Sequence, residues 1–125
     1  MRMPLFMLIW GAMGVWPSMQ ARESTVAYRP LQATYSIYAG EVPERKPPTD
    51  SDRKLAIAID GKSAKDIFES IGPDVHPTCS EQAGNRDRRK GNLMCTYNAH
   101  GPAQGYRCWI GVNLKTGTSI PAITC

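Results

Sequence analysis

The side chains of this sequence best suited to acid–base chemistry are its two histidines, His76 and His100. An imidazole titrates near neutral pH, so one histidine can remove a proton while another donates one, as in the cleavage of RNA. Asp74 lies two residues before His76 and could orient its ring. No nucleophile motif accompanies the histidines, and both lie in predicted loops. We therefore assign no catalytic residue and keep a small secreted hydrolase, such as a nuclease using both histidines, as an alternative function.

The densest charge lies in the stretch AGNRDRRKGN, residues 83–92, which we predict to be a loop. Its four cations are Arg86, Arg88, Arg89 and Lys90. Guanidinium groups suit bidentate contacts with carboxylates and phosphates, so this cluster is the candidate site, as a hypothesis, for an acidic protein surface or a polyanion in the cell envelope. Because no aromatic side chains interleave the cations, nucleic acid is disfavoured as a partner. A solvated loop that only keeps the protein soluble is slightly favoured over such a binding site, because charge runs are commonly just solvated.

The positive net charge of the chain depends on this one stretch. The formal net charge is +4, and removing residues 1–21 removes one arginine, which leaves +3. Residues 83–92 carry four positive charges and one negative charge, which also gives +3. The basic character is therefore local, and no broad basic face is predicted.

Four cysteines lie in the last 47 residues. They are Cys79, Cys95, Cys108 and Cys125. An even number of cysteines in a short exported chain predicts disulfides, and four cysteines allow three connectivities. Metal binding would need reduced thiolates, so we predict no metal site. The sequence also has no glycine-rich phosphate-binding or dinucleotide-binding motif, and we predict no cofactor.

Residues 1–21 have the pattern of a secretory signal peptide. Arg2 gives a positive start, residues 4–16 form an uncharged apolar run, and a more polar segment ends at Ala21. The apolar run of 13 residues is shorter than a membrane-spanning helix needs, so we expect no stable membrane anchor. Cleavage is expected after Ala21 or, alternatively, after Ala27. The mature protein is then periplasmic or secreted.

The rest of the chain divides by composition into an arm and a folded unit. Residues 22–52 form an extended arm rich in proline and charge, in which the alternation over residues 31–38 allows one strand. Residues 53–125 form a disulfide-stapled α+β domain. The domain is small for a hydrophobic core, and two disulfides would compensate for that.

Two elements open the predicted domain. Residues 55–59 alternate large and small apolar side chains, which predicts an inner strand. Ser63 is the predicted N-cap of a helix, and an apolar stripe follows at helical spacing. The stripe consists of Ala64, Ile67, Phe68 and Ile71. Gly72 is predicted to end the helix in a left-handed conformation, and Pro73 prevents its continuation.

Three further strands complete the predicted domain. Residues 93–97 and 106–114 form a hairpin whose simple register places Cys95 opposite Cys108, Tyr97 opposite Tyr106 and Met94 opposite Trp109. Residues 118–125 add a strand that Pro121 places at a sheet edge. A meander favours the pairs Cys108–Cys125 and Cys79–Cys95, although the register also permits Cys95–Cys108. The predicted fold is therefore α+β: a small, mostly antiparallel β-α-β-β-β sheet with one packed helix, stapled by two disulfides.

These features favour a small exported binding protein, and the periplasm is the compartment that we expect first. The arrangement is similar to that of many small exported bacterial proteins, among them envelope inhibitors and immunity proteins. We expect it to act by occupying a partner, as an inhibitor or an immunity factor. The hydrolase and a structural component of the envelope are the two alternatives to this binding protein.

Overall fold

A computed structural model describes residues 11–16, 26–102 and 104–125. The predicted signal peptide lies outside these residues except for 11–16, and so does the cleavage position after Ala21. Within the described residues, no helix is long and apolar enough to cross a membrane.

Seven strands and one helix make up the described part of the chain. The strands are β1 (Ala33–Tyr38), β2 (Lys54–Asp60), β3 (Asp74–Val75), β4 (Arg86–Lys90), β5 (Leu93–Asn98), β6 (Gly105–Asn113) and β7 (Ser119–Ile120), and the helix α1 (Gly61–Ser70) follows β2. All paired strands are antiparallel, in the order β1-β2-β6-β5-β4-β3, and β7 pairs with β6. The predicted α+β fold is confirmed, with β1, β3 and β4 in addition to the β-α-β-β-β core.

The helix α1 lies on one side of the sheet, which we call the helix face, and packs over β2, β5 and β6. Ala64 and Phe68 are fully buried there, against Ile59 and the disulfide of Cys95 and Cys108. The sequence of β2 explains this arrangement, because every second side chain of a strand points to the same face of the sheet. On the opposite side, which we call the far face, a smaller cluster contains Tyr38, Ala56, Ala122 and Trp109.

The predicted start of the helix is wrong, whereas the end was predicted at the right position but with the wrong backbone conformation. The helix begins at Gly61, and Asp60 occupies the N-cap position without a side-chain capping bond. Asp60 accepts a hydrogen bond from Arg107 instead, and Ser63 lies inside the helix. At the other end the C-cap, Ile71, is extended, and Gly72 is not among the residues with positive φ. The left-handed stop is not needed, because a side chain from β4 binds the last carbonyl groups of the helix.

The basic stretch, predicted as a loop, contains the strand β4 (Arg86–Lys90). It pairs with β5 along five residues and with the two residues of β3. Charged residues rarely favour an inner strand, but Asp74 and the end of the helix bind Arg86 and Arg88 here. Asp87 is 3% exposed, and its carboxylate accepts a hydrogen bond from the backbone N–H of Cys79 at 2.6 Å.

The hairpin register is confirmed: β5 and β6 place Cys95 opposite Cys108, with the other two predicted pairs in register. The disulfides are Cys95–Cys108 and Cys79–Cys125, so the favoured pairing was wrong. The meander fails because β5 already occupies the edge of β6 beside Cys108. The strand β7 therefore pairs only with Gly111 and Val112, and the chain then leaves β6 and reaches Cys79.

The segment before β2 is joined to the domain rather than extended from it. β1 pairs with β2 over its whole length, and Tyr38 is 2% exposed. Beyond it, Ala39 and Lys46 exchange backbone hydrogen bonds around a short 3₁₀ helix, Val42–Glu44. Asp52 accepts a hydrogen bond from the backbone N–H of Gly40 at 2.8 Å. These contacts keep the proline-rich connection close to the sheet.

Candidate functional site

The four predicted binding cations lie on β4, but the structure gives them different surroundings. Arg86 and Arg88 both bind Asp74, with Nε–carboxylate distances of 2.7 Å each. The hydrogen bonds from Arg86 and then from Arg88 lower the pKa of Asp74 to about 2. Asp74, the candidate carboxylate for orienting His76, is therefore occupied by two guanidinium groups.

Arg88 also joins the strand to the end of the helix. Its Nη1 donates hydrogen bonds to the carbonyl oxygens of Phe68 at 2.9 Å and Ile71 at 2.8 Å. A cation at a helix C-terminus interacts favourably with the exposed carbonyl dipoles. The guanidinium group also lies 4.3 Å from the centroid of the Phe68 ring, and that of Arg86 lies 5.2 Å from it. These contacts give both arginines a structural role.

Arg89 and Lys90 are the exposed members of the cluster. Arg89 Nη2 lies 3.0 Å from the Met94 sulfur, which is a weak acceptor. Four cations and the two nearby aspartates, Asp74 and Asp87, leave a local charge of +2. The positive charge that a partner can reach is thus smaller than the sequence suggested, and it centres on Arg89 and Lys90.

The two histidines are placed separately in loops. The ring Nε2 of His100 hydrogen-bonds to the carbonyl oxygen of Ala83, and His76 is exposed in the connection that follows β3. Neither histidine lines any of three surface cavities formed by the described residues. The described residues contain no cluster of three or more His, Cys, Asp or Glu side chains that could hold a metal ion.

The helix covers only part of the helix face and leaves an apolar patch. Two rows of directly opposed residues cross β1, β2 and β6: Tyr35–Ile57–Ile110 and Ile37–Leu55–Val112. Ile57 and Ile110 are half-buried against the core beneath the helix, so the first row is partly covered. Directly opposed residues in antiparallel strands point to the same face, so each row presents three apolar side chains together. Tyr35 is 74% exposed and Ile37 is 36% exposed. We call these six residues the apolar patch.

The apolar patch extends to an unpaired strand edge. β1 is the last strand in the sheet order, so its outer edge has no strand partner among the described residues. Its sequence, ATYSIY, contains neither a charge nor a proline. Edge strands of stable monomers usually carry such residues, which prevent pairing with another chain. This edge is therefore open to an additional strand.

This surface was not predicted from the sequence, although the sequence contains a signal for it. Residues 31–38 alternate apolar and polar side chains, which was interpreted only as a weak indication of a strand. The exposure of Tyr35 and Ile37 depends on where the helix lies, and no local pattern gives that position. Leu31, which precedes β1 in the same alternation, is also exposed. No protein-family model, curated protein or solved structure matches this chain.

Proposed function

We propose that this protein is a small exported binding protein that acts by occupying a protein partner, as an inhibitor or an immunity factor in the periplasm or outside the cell. The observation that carries the proposal is the apolar patch beside the open edge of β1. An exposed apolar surface of this kind, rimmed by polar residues, is typical of an interaction site.

The occupant proposed for this surface is an extended segment of the partner with alternating apolar side chains. Such a segment can add to β1 as a further strand, because every second residue of this six-residue strand directs its backbone N–H and C=O groups to the outer edge. Every second side chain of the added strand would then point to the helix face, beside Tyr35 and Ile37. Backbone pairing supplies affinity and the apolar contacts supply specificity.

Export is proposed on two supports. Residues 1–21 have the composition of a signal peptide, and two disulfides are compatible with an oxidising compartment. The periplasm is the compartment proposed first, because the envelope contains the enzymes and toxins that small inhibitors of this type bind.

Arg89 and Lys90 are proposed to contact an acidic part of the same partner at the edge of β4 that β3 leaves unpaired, with Lys90 on the helix face and Arg89, which opposes Met94, on the far face. They lie on β4, four strands from β1 in the sheet, which is about 19 Å at the usual strand spacing. Substitution of both by alanine should weaken binding most at low salt, because salt screens exposed charges. An affinity that is unchanged at low ionic strength would remove these two residues from the interface.

The experiment for the apolar patch compares two variants of the same strand. The wild-type protein is used to capture its partner from an envelope extract, and the purified partner is then titrated against Tyr35→Glu and Thr34→Glu. Both positions are exposed on β1 but point to opposite faces. We expect Tyr35→Glu to weaken binding at least tenfold, since it places a charge in an apolar contact, and Thr34→Glu to weaken it by less than about threefold.

Equal binding by the two variants would contradict the proposed surface. Circular dichroism spectra and melting temperatures of both variants are needed to show that neither change unfolds the sheet. If the wild-type protein captures only a second copy of itself, the proposed inhibitor function is overturned. This result would appear as a dimer in analytical sedimentation, and the Tyr35→Glu substitution would dissociate that dimer.

A further inference from the structure

A cleft on the far face of the sheet has a polar and aromatic lining that no part of the proposed function uses. Its volume is about 430 Å³. The lining side chains used in the argument are Asp60, Thr96, Asn98, Gln104, Arg107 and Trp109. They come from β2, β5 and β6, except for Gln104, which directly precedes β6. The pairing of Thr96 with Arg107 and of Met94 with Trp109 places these strand residues side by side.

An ion pair at the edge of the cleft is oriented by one hydrogen bond and keeps other groups available. Arg107 Nε donates to Asp60 Oδ1 at 2.6 Å. Among the described residues, Nη1 and Nη2 of Arg107 and Oδ2 of Asp60 make no hydrogen bond. Since these two are the charged residues of the lining, the cleft has no net formal charge. The pair presents donors and an acceptor at fixed positions.

Three uncharged polar side chains add to this set. Asn98 Oδ1 accepts the backbone N–H of His100, which orients the side-chain amide and leaves its NH₂ group as a donor. The hydroxyl of Thr96 and the amide of Gln104 make no hydrogen bond to another described residue. Trp109 packs against the small cluster of the far face and also lines the cleft. The cleft thus combines one aromatic side chain with several available polar groups.

We propose that this cleft binds a neutral saccharide. A sugar hydroxyl is both a donor and an acceptor, and neighbouring hydroxyls match the paired atoms of planar guanidinium, carboxylate and amide groups. The C–H groups of a sugar ring suit the negative face of an indole. An anionic ligand would meet the carboxylate of Asp60, and a purely apolar ligand would leave the polar groups of the lining without partners.

The test is a ¹H–¹⁵N NMR titration of the full-length chain with neutral β-1,4-linked tetrasaccharides of glucose and of N-acetylglucosamine. The indole N–H of Trp109 and the side-chain amides of Asn98 and Gln104 report on the cleft directly, once each is assigned from a substituted variant. We expect these signals to shift saturably, with a dissociation constant in the millimolar range or tighter.

Two variants test the polar contacts. Thr96→Val keeps the shape of the side chain but removes its hydroxyl, and Arg107→Met removes the guanidinium donors. Each should weaken binding about tenfold, the usual effect of one lost hydrogen bond of this strength. The matched control is Lys65→Ala on the outer side of the helix, which should change the dissociation constant by less than about twofold.

Three results would overturn the proposal. One is the absence of saturable shifts with both tetrasaccharides, and another is shifts confined to residues outside the cleft. The third is binding of an acidic tetrasaccharide, such as tetragalacturonate, with no binding of the neutral ones. If the ¹H–¹⁵N spectrum of Arg107→Met loses its dispersion, this variant is unfolded, and the result for Thr96→Val decides the test. The cleft and the apolar patch lie on opposite faces, so each proposal can fail without the other.

Discussion

Replacement of Arg88 by methionine tests whether the basic strand serves the fold. Methionine keeps an unbranched apolar side chain that can still pack beside Phe68, but it cannot donate hydrogen bonds. The variant therefore loses the two bonds to the helix carbonyls of Phe68 and Ile71 and the contact of the guanidinium with the aromatic ring.

The expected loss follows from these contacts. Each hydrogen bond from the guanidinium to a carbonyl contributes about 1 kcal/mol for a side chain that is 19% exposed. The cation–π contact contributes about 1 kcal/mol at a partly desolvated site. Because Arg86 still holds Asp74, no loss is added for that pair. Arg88→Met should therefore lower the free energy of unfolding by about 3 kcal/mol.

Urea denaturation with the disulfides intact, monitored by circular dichroism, measures this effect. With a slope of about 2 kcal/mol per molar urea, the midpoint should fall by about 1.5 M. The control is Lys90→Met in the same strand, whose side chain is exposed and whose removal should cost less than about 0.5 kcal/mol. If the two variants differ by less than about 0.5 kcal/mol, the reasoning about the helix end is refuted.

Three further outcomes can be measured by the same method. The folded-state pKa of Asp74 lies at about 2, below its unfolded value, so its carboxylate stabilises the fold above about pH 4 and loses this effect as the pH falls towards 2. The free energy of unfolding of Asp74→Asn should therefore decrease less than that of the wild type over this pH interval. Parallel pH curves for the two proteins would contradict this prediction. A Cβ at Gly111 would overlap the carbonyl oxygen of Ile120, so Gly111→Ala should lower stability by about 1–3 kcal/mol, and a neutral effect would place β7 elsewhere. The hydroxyl of Tyr38 is buried without a hydrogen-bond partner among the described residues, so Tyr38→Phe should leave stability unchanged or raise it by up to about 1 kcal/mol, whereas a loss above 1 kcal/mol would reveal a partner.

The central hairpin could be predicted from the sequence because its information is local. The turn-rich segment between β5 and β6 fixes the register by symmetry, and that register correctly places Cys95 opposite Cys108. The pairing of Cys125 needed the position of β7 relative to β5, which is a property of the whole sheet. The helix was also recognised from its stripe, but its end depends on Arg88, which lies 20 residues from Phe68 in sequence.

The candidate sites were harder to predict because each is assembled by distant segments. The charges of β4 suggested a loop, since nothing nearby in sequence shows that Asp74 pairs with Arg86 and Arg88. The cleft combines residues of β2, β5 and β6 that only the sheet register brings together. Periodicity indicates which side chains share a face of one strand, but it does not indicate which faces remain uncovered.

The two disulfides differ in how reductants can reach their sulfur atoms. Cys95 and Cys108 are fully buried beneath the helix, whereas Cys79 and Cys125 are exposed. Thiol–disulfide exchange requires the attacking thiolate to reach a sulfur atom. A hydrophilic reductant should therefore open the outer bridge by direct attack and the inner bridge only as fast as the domain opens. We therefore expect a singly reduced form, which alkylation can trap, in which the segment after β7 is released while the buried bridge remains closed.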